Sequence, residues 1–75
     1  MKMKGISKIV IVVDDEYRQN VLKALNKIKA DVLSIKDEDR GEDRKAVAIY
    51  ALVKEKKFWR NRKKLLKFGD VAIVN

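Results

Sequence analysis

The sequence contains no cysteine, no histidine and no proline. Without cysteine the chain has no disulfide, no thiolate metal ligand and no thiol nucleophile. Without histidine it lacks the commonest general base and the commonest neutral metal ligand. No nucleophile–base pair, phosphate-binding loop or metal-ligand spacing replaces them. We therefore predict a protein that is not an enzyme and that requires neither a cofactor nor a metal.

Long hydrophobic runs are also absent, since the longest falls far short of the roughly 20 residues that cross a bilayer. The basic start MKMKG precedes an apolar run that ends in acidic residues, which does not suit a signal peptide. The sequence thus predicts a cytoplasmic protein with no transmembrane segment. A chain of 75 residues has room for one core, so residues 1–75 are predicted to form a single domain. Its Lys- and Glu-rich composition is compatible with a thermophilic source.

Apolar periodicity predicts four strands and two helices. The β-branched run at residues 9–13 favours a strand. Val21, Leu22, Leu25 and Ile28 recur at helical spacing, which favours an amphipathic helix. The predicted strands are residues 9–13, 31–36, 46–53 and 70–75, and the predicted helices are residues 16–28 and 55–67.

The conformation of AVAIYALV, residues 46–53, decides the fold. The segment has no polar face, whereas a surface helix should have one. Its alanines nevertheless favour a helix, and one long helix from Arg44 onward remains an alternative. As a strand, the segment completes a β-α-β-β-α-β order. The predicted fold is then α+β and ferredoxin-like, with a four-stranded antiparallel sheet and two helices on one face.

Alternation along the strands assigns their side chains to two faces. The face opposite the helices is strongly apolar, so a second copy of the chain is expected to cover it and form a homodimer. The residues expected to face the helices are Ile9, Ile11, Val13, Leu33, Ile35, Val47, Ile49, Val53, Val71 and Ile73. Those expected on the opposite face are Val10, Val12, Val32, Ser34, Ala48, Tyr50, Leu52, Ala72 and Val74, of which Val10, Val12, Tyr50, Leu52 and Val74 form the predicted oligomer face.

Acidic residues cluster in two places. Asp14 and Asp15 resemble the start of response-regulator receiver domains, where paired acids hold Mg²⁺, but capping of the following helix explains them without a metal. The second cluster, in residues 37–43, has the composition of a carboxylate set for two-metal chemistry. Because it lies on one turn beside Gly41, we interpret it as a solvated hairpin tip.

A family resemblance covers nearly the whole chain. The stretch VLKALNKIKADVLSIKDEDRGEDRKAVAIYALV, followed by a helix and KFGDVAIVN, resembles an ACT domain. Within it, residues 30–35 are similar to the second strand of that family and Gly69-Asp70-Val71 to its last turn. The resemblance implies a regulatory or adaptor module that pairs through its sheet and binds a small effector near the turn after the first strand. The corresponding effector residues here are Asp14, Asp15, Tyr17 and Lys29.

The net charge of +8 indicates an alternative function. Residues 54–67 hold eight basic residues and one acidic residue, so +7 of that charge lies in this segment, which contains the second predicted helix. Phe58 and Trp59 lie among these cations, a mixture typical of proteins that bind phosphate backbones and stack on bases. The predicted alternative partner is therefore nucleic acid or another acidic surface. A solvated amphipathic helix with Phe58, Trp59, Leu65 and Leu66 inward is the simpler interpretation. The predicted nucleic-acid-binding residues are Lys56, Lys57, Trp59, Arg60, Arg62, Lys63, Lys64 and Lys67.

Overall fold

Four strands and two α-helices follow one another in the predicted order. The computed structural model describes residues 5–39, 41 and 45–74. A single 3₁₀ turn, Asp15–Tyr17, leads from the first strand into the first helix. The strands are β1 (Ile6–Asp14), β2 (Asp31–Asp39), β3 (Lys45–Lys54) and β4 (Gly69–Ile73), and the helices are α1 (Arg18–Lys27) and α2 (Glu55–Leu66).

The four strands form one antiparallel sheet with the spatial order β2-β3-β1-β4. Each helical crossover skips one strand, because β3 separates β1 from β2 and β1 separates β3 from β4. This is the split β-α-β connection, used twice. The predicted α+β class and ferredoxin-like arrangement are confirmed.

The deciding segment is extended. β3 pairs with β1 from Ala46 to Lys54 and with β2 along its other side, so it lies inside the sheet. Lys54 keeps an extended backbone with φ −65° and ψ 129°, and α2 begins at the next residue. The alternative of one unbroken helix from Arg44 is therefore wrong. Burial on both faces explains why this strand has no polar side, since even Ala46 and Ala48 are almost inaccessible.

The core lies between the helices and one face of the sheet. It consists of alternate residues of the two central strands and of the inward-facing residues of the two helices. Phe58 and Leu65 from α2 and Val21 and Leu25 from α1 are each at most 2% exposed. The sheet residues Ile9, Ile11, Val13, Val47, Ile49 and Val53 are buried as predicted, and Val71 packs partly buried against them.

The predicted face is wrong for one residue of β2, because a β-bulge shifts its register, while Ser34 and Ile35 keep their predicted faces. The pairing of β2 with β3 breaks between Val32 and Ser34, which leaves Leu33 as an extra residue. Val32 consequently lies opposite Ala51, in the row that faces the helices, and not on the open face. Leu33 is 49% exposed, and Ile35 also stays exposed although it lies opposite the buried Ile49. The helices cover the centre of the sheet and not this edge.

Gly69 has a different role from the helix cap that its position suggests. α2 ends at Leu66, three residues before Gly69. Gly69 is the first residue of β4, and its φ is not positive. A Cβ at this position would meet the carbonyl oxygen of Val12 and, at 2.7 Å, Cγ1 of Val13. Close approach to β1 therefore requires glycine here. Gly41 does take the positive φ that its place in the hairpin predicts, at 74°.

The acidic residues before α1 do not cap it. Neither the 3₁₀ turn nor α1 has a side-chain hydrogen bond at its N-cap, so the predicted capping by Asp14 or Asp15 is wrong. Asp15 instead lies 3.4 Å from Nε of Arg18, and a second nitrogen of this guanidinium donates to Asp37 Oδ1 on β2 at 3.4 Å. At the hairpin tip, Arg40 and residues 42–44 lie outside the described residues.

Candidate nucleic-acid interface

An open groove of about 690 Å³ runs between the two helices on the outer side of the molecule. One wall is a stripe of α1 at residues 20, 23, 24 and 27, and the other is a stripe of α2 at residues 57, 60, 61 and 64. Both spacings follow the 3.6-residue helical repeat, so each helix presents one continuous row to the groove. The far end is closed by Lys67 and Phe68, just after α2.

The walls of this groove are basic throughout. Its lining includes six cationic side chains and no acidic residue: Lys23, Lys27, Lys57, Arg60, Lys64 and Lys67. Within residues 5–39, 41 and 45–74, none of the six forms a salt bridge, whereas Arg18 at the start of α1 contacts two carboxylates. The groove thus combines a concave shape with positive charge that no described carboxylate neutralises, an arrangement that concentrates anions.

The floor of the groove belongs to the core and is therefore fixed. Ile28 and Leu65 are buried, and Ala24 and Phe68 pack against the same cluster. Phe68 also contacts the ring of Tyr17, with 6.3 Å between the ring centroids. On the α2 wall, Asn61 Nδ2 donates to the carbonyl oxygen of Lys57 at 2.8 Å. Because the floor is packed, the two helices are fixed relative to each other, and so are the backbone positions that carry the basic side chains.

A second, largely apolar cleft of about 750 Å³ adjoins the groove at the start of α2. Trp59 forms one side, and another is formed by Gly5, which precedes β1, and by Ile6, its first residue. Lys54 and Glu55 also belong to the lining. A hydrogen bond of 2.7 Å from the Glu55 amide to the Gly5 carbonyl oxygen attaches Gly5 to α2. Lys57 and Arg60 line both the groove and the cleft, so the two share a wall.

Trp59 lies on the surface, contrary to the expectation that it points inward. It is 55% exposed, and Leu66 is exposed as well, while Phe58 and Leu65 are buried as predicted. Phe58 holds the indole from beneath in an edge-on contact, with 5.2 Å between the centroids and an angle of 66° between the rings. The guanidinium of Arg62 lies 5.8 Å from the indole centroid, in cation–π range.

The structure separates the predicted nucleic-acid-binding residues into three groups. Lys57, Arg60, Lys64 and Lys67 line the groove, and Lys56 and Trp59 line the cleft. Arg62 and Lys63 line neither. The sequence interpretation missed Lys23 and Lys27 of α1. Their spacing of four residues, on a helix that contains no acidic residue, is the signal that would have identified them.

The predicted oligomer face lies on the side of the sheet away from the helices. Val10 is directly opposite Tyr50, and Lys8 is opposite Leu52. The apolar side chains here are half-buried, because the ammonium groups of Lys8 and Lys36 lie 5.8 and 5.3 Å from the Tyr50 ring centroid. The exposed apolar residues of the sheet instead lie along its edge strands or just beyond them: Val32, Leu33, Ile35, Ile73 and Val74.

The predicted effector residues are not all brought together. Asp14, Asp15 and Tyr17 lie at the end of β1 and in the turn that follows, but Lys29 comes after the opposite end of α1. A helix of 10 residues is about 15 Å long. The four residues therefore do not form one turn, and effector binding at the end of β1 remains a prediction.

Residues 5–39, 41 and 45–74 contain no group of three or more acidic, histidine or cysteine side chains placed to hold a metal ion. Neither described helix has the length and apolar character needed to span a membrane.

No protein-family model matches the sequence, and a comparison with curated proteins finds no match. The resemblance to ACT domains remains a prediction, and the geometry of the groove and the cleft is the basis for a functional assignment.

Proposed function

We propose that the protein binds nucleic acid, with the phosphate backbone lying in the basic groove between α1 and α2. The observation that carries the proposal is the sign of the lining: six cations, no carboxylate and no described ion-pair partner. The proposed role is one of binding, with no catalytic step.

The repeat of the cations favours a polymer over a small anion. Lys57, Arg60 and Lys64 follow one another about one helical turn apart, roughly 5.4 Å along the axis. Lys23 and Lys27 repeat in the same way across the groove. A single carboxylate or phosphate would contact one or two of these groups, while the others would remain close to one another without a counter-charge. A chain of phosphates offers every cation a partner.

The groove also explains why the basic residues stay unpaired. Like charges four residues apart on a helix destabilise it by about 0.2–0.5 kcal/mol per pair. Lys23 and Lys27 form such a pair, and so do Arg60 and Lys64. Lys27 and Lys64 gain from the negative ends of their helices, but Lys23 and Arg60 lie outside the last turns. Glutamates at these two positions would keep the protein soluble and remove the repulsion. Binding of a polyanion turns the same charges into stabilising contacts.

The test compares two neighbouring lysines of α2. Lys64 lines the groove and Lys63 does not, so Lys64→Glu and Lys63→Glu make the same change of net charge at adjacent positions. We expect Lys64→Glu to lower the affinity for a fluorescent oligonucleotide of about 12 nucleotides by tenfold or more, and Lys63→Glu to lower it about threefold or less. Equal losses from the two variants would show that net charge, and not the groove, holds the ligand.

Salt dependence supplies the second arm. Each phosphate contact on a single strand contributes a slope of about −0.7 to the dependence of log K on log salt. With four to six contacts, affinity should fall on the order of 100-fold between about 50 and about 200 mM salt. Fluorescence anisotropy of the wild-type protein measures this directly. No binding to either DNA or RNA at the lower salt concentration would exclude the proposed function.

The open face of the sheet favours a second candidate, self-association as a regulatory or adaptor module. Val10, Val12, Tyr50 and Leu52 form an apolar centre there, and exposed residues of both charge signs surround it. An apolar centre with a polar rim is the usual anatomy of a protein interface. Sedimentation at micromolar concentration tests this candidate: Tyr50→Asp should convert a dimer into a monomer, and a monomeric wild-type protein would rule it out.

A further inference from the structure

We infer that the preferred ligand of the groove is single-stranded nucleic acid, with one unpaired base stacked on Trp59 in the adjoining cleft. This inference rests on the proposed function and adds the class of nucleic acid. It depends on three observations: the exposure of Trp59, its place in the lining of the cleft, and the wall that the cleft shares with the groove.

Trp59 is exposed although the core of the protein is complete without it. Its neighbour Phe58 fills the core, so α2 does not need the indole for packing. An indole that leaves more than half of its surface in water retains a large apolar area without burial. A stacked base would cover this area, and stacking tolerates any base because each has a π-face.

The ring is also held in place with its cleft side free. Phe58 contacts it edge-on at 5.2 Å and Arg62 approaches it at 5.8 Å. Arg62 does not line the cleft, whereas Trp59 and Ile6 do. The guanidinium therefore supports the indole from outside the cleft and increases its attraction for a stacked π-system. The open space of about 750 Å³ exceeds the volume of one base.

The wall that the cleft shares with the groove links this stacking surface to the phosphate contacts. Lys57 and Arg60 line the cleft and the groove together, so a backbone held by these two residues passes the mouth of the cleft. Only a base outside a duplex can turn from such a backbone onto an aromatic ring. Paired bases point toward the duplex axis and cannot reach Trp59 without unpairing, which costs free energy.

The experiment uses three probes of about 12 nucleotides: an unpaired thymidine or uridine oligomer, an abasic deoxyribose-phosphate oligomer, and a duplex. Wild-type protein should bind the unpaired oligomer more tightly than either of the others. Trp59→Ala should lower that affinity at least about fivefold, while affinity for the abasic oligomer stays within twofold. Trp59→Phe should retain most of the binding. Leu66→Ala, which removes an exposed apolar side chain elsewhere on α2, is the matched control and should change neither.

Trp59 is the only tryptophan of the sequence, so its fluorescence reports directly on stacking. We expect the unpaired oligomer to quench it and the abasic oligomer to leave it nearly unchanged. Equal affinity for duplex and single strand, or binding that Trp59→Ala does not weaken, overturns this inference while leaving the groove as the binding site. If Lys64→Glu loses all binding while the unpaired oligomer quenches Trp59 of the wild-type protein, the proposed function and this inference are both supported. Absence of binding to every probe removes the proposed function itself, and this inference with it.

Discussion

The groove between the helices and the open face of the sheet differ in how their positive charges are balanced. In the groove between the helices, six cations face one another without a carboxylate. On the open face of the sheet, Lys8 and Lys36 approach Tyr50, and acidic residues share the same rows. These acidic residues are Asp14, Asp31, Glu38 and Asp70, each paired across the strands with an open-face residue.

This difference separates function from solubility. Both surfaces are rich in lysine, so composition does not distinguish them. The open face balances its cations locally and gains packing from them, because lysine stems cover apolar surface. The groove leaves its cations in mutual repulsion, which lowers stability unless a polyanion is bound. Surplus charge of one sign in a concave site, rather than net charge of the chain, is the physical basis of the proposed function.

The largest expected effect comes from breaking the groove on both walls. Lys27→Glu combined with Lys64→Glu should reduce affinity for an unpaired oligonucleotide on the order of 100-fold, because two phosphate contacts become repulsive. The matched control is Lys29→Glu combined with Lys63→Glu, which makes the same change of net charge outside the groove. Anisotropy titrations at one low salt concentration measure both.

The control pair should lose about tenfold or less, through long-range repulsion that salt screens. Circular dichroism at 222 nm should be the same for both double variants, since all four side chains are solvent-exposed. If the control pair loses as much affinity as the groove pair, the contrast between the groove and the remaining basic surface disappears.

The fold was predictable because its decisive segment has one strong property. Residues 46–53 have no polar side chain, which does not suit a surface helix but suits a central strand with neighbours on both sides. In β2 the same alternation failed, because the bulge at Leu33 inverts the face of Val32. A bulge leaves no mark in the sequence when the extra residue is an ordinary apolar one. The face of Val32 could therefore not be predicted by counting alternate residues.

The site was predictable only in part, for a related reason. The basic run of α2 is evident from composition, but Lys23 and Lys27 become functional candidates only when the fold brings α1 beside α2. Conversely, Arg62 and Lys63 share the composition of the run and lie outside the groove. The exposure of Trp59 next to the buried Phe58 depends on the exact rotation of α2, which its several apolar residues left open.

A substitution at Lys29, a lysine outside the groove, is expected to change stability and not binding. Lys29 has a φ of 58°, and the bonds from the Lys29 amide to Asn26 and from the Ala30 amide to Leu25 form the C-terminal motif that normally takes glycine. Lys29→Gly should raise the free energy of unfolding by about 0.5–1 kcal/mol, since glycine adopts this conformation without strain. Urea denaturation measures the change.

The affinity of the Lys29→Gly variant for oligonucleotides should stay within about threefold of wild type, because Lys29 does not line the groove. Lys27→Gly is an unsuitable comparison, since glycine inside α1 lowers stability. Lys29→Ala is the appropriate control: it removes the same charge but keeps a Cβ, and it should not reproduce the stabilisation. A destabilised Lys29→Gly protein would contradict the left-handed conformation of this residue.

The smallest effects differ in sign between the two surfaces, which makes them informative. In the groove, Lys23→Gln removes the repulsion from Lys27 four residues later and should stabilise the free protein by about 0.2–0.5 kcal/mol at low salt. On the open face, Lys36→Gln removes the cation from the Tyr50 ring and should destabilise it by about 0.5 kcal/mol. Urea denaturation at low and at high salt measures both. The gain at Lys23 should vanish at high salt, because screening already removes the repulsion, while the loss at Lys36 should largely persist. If the two substitutions changed the free energy of unfolding with the same sign, a lysine would have the same effect on both surfaces. The groove would then be ordinary solvated surface.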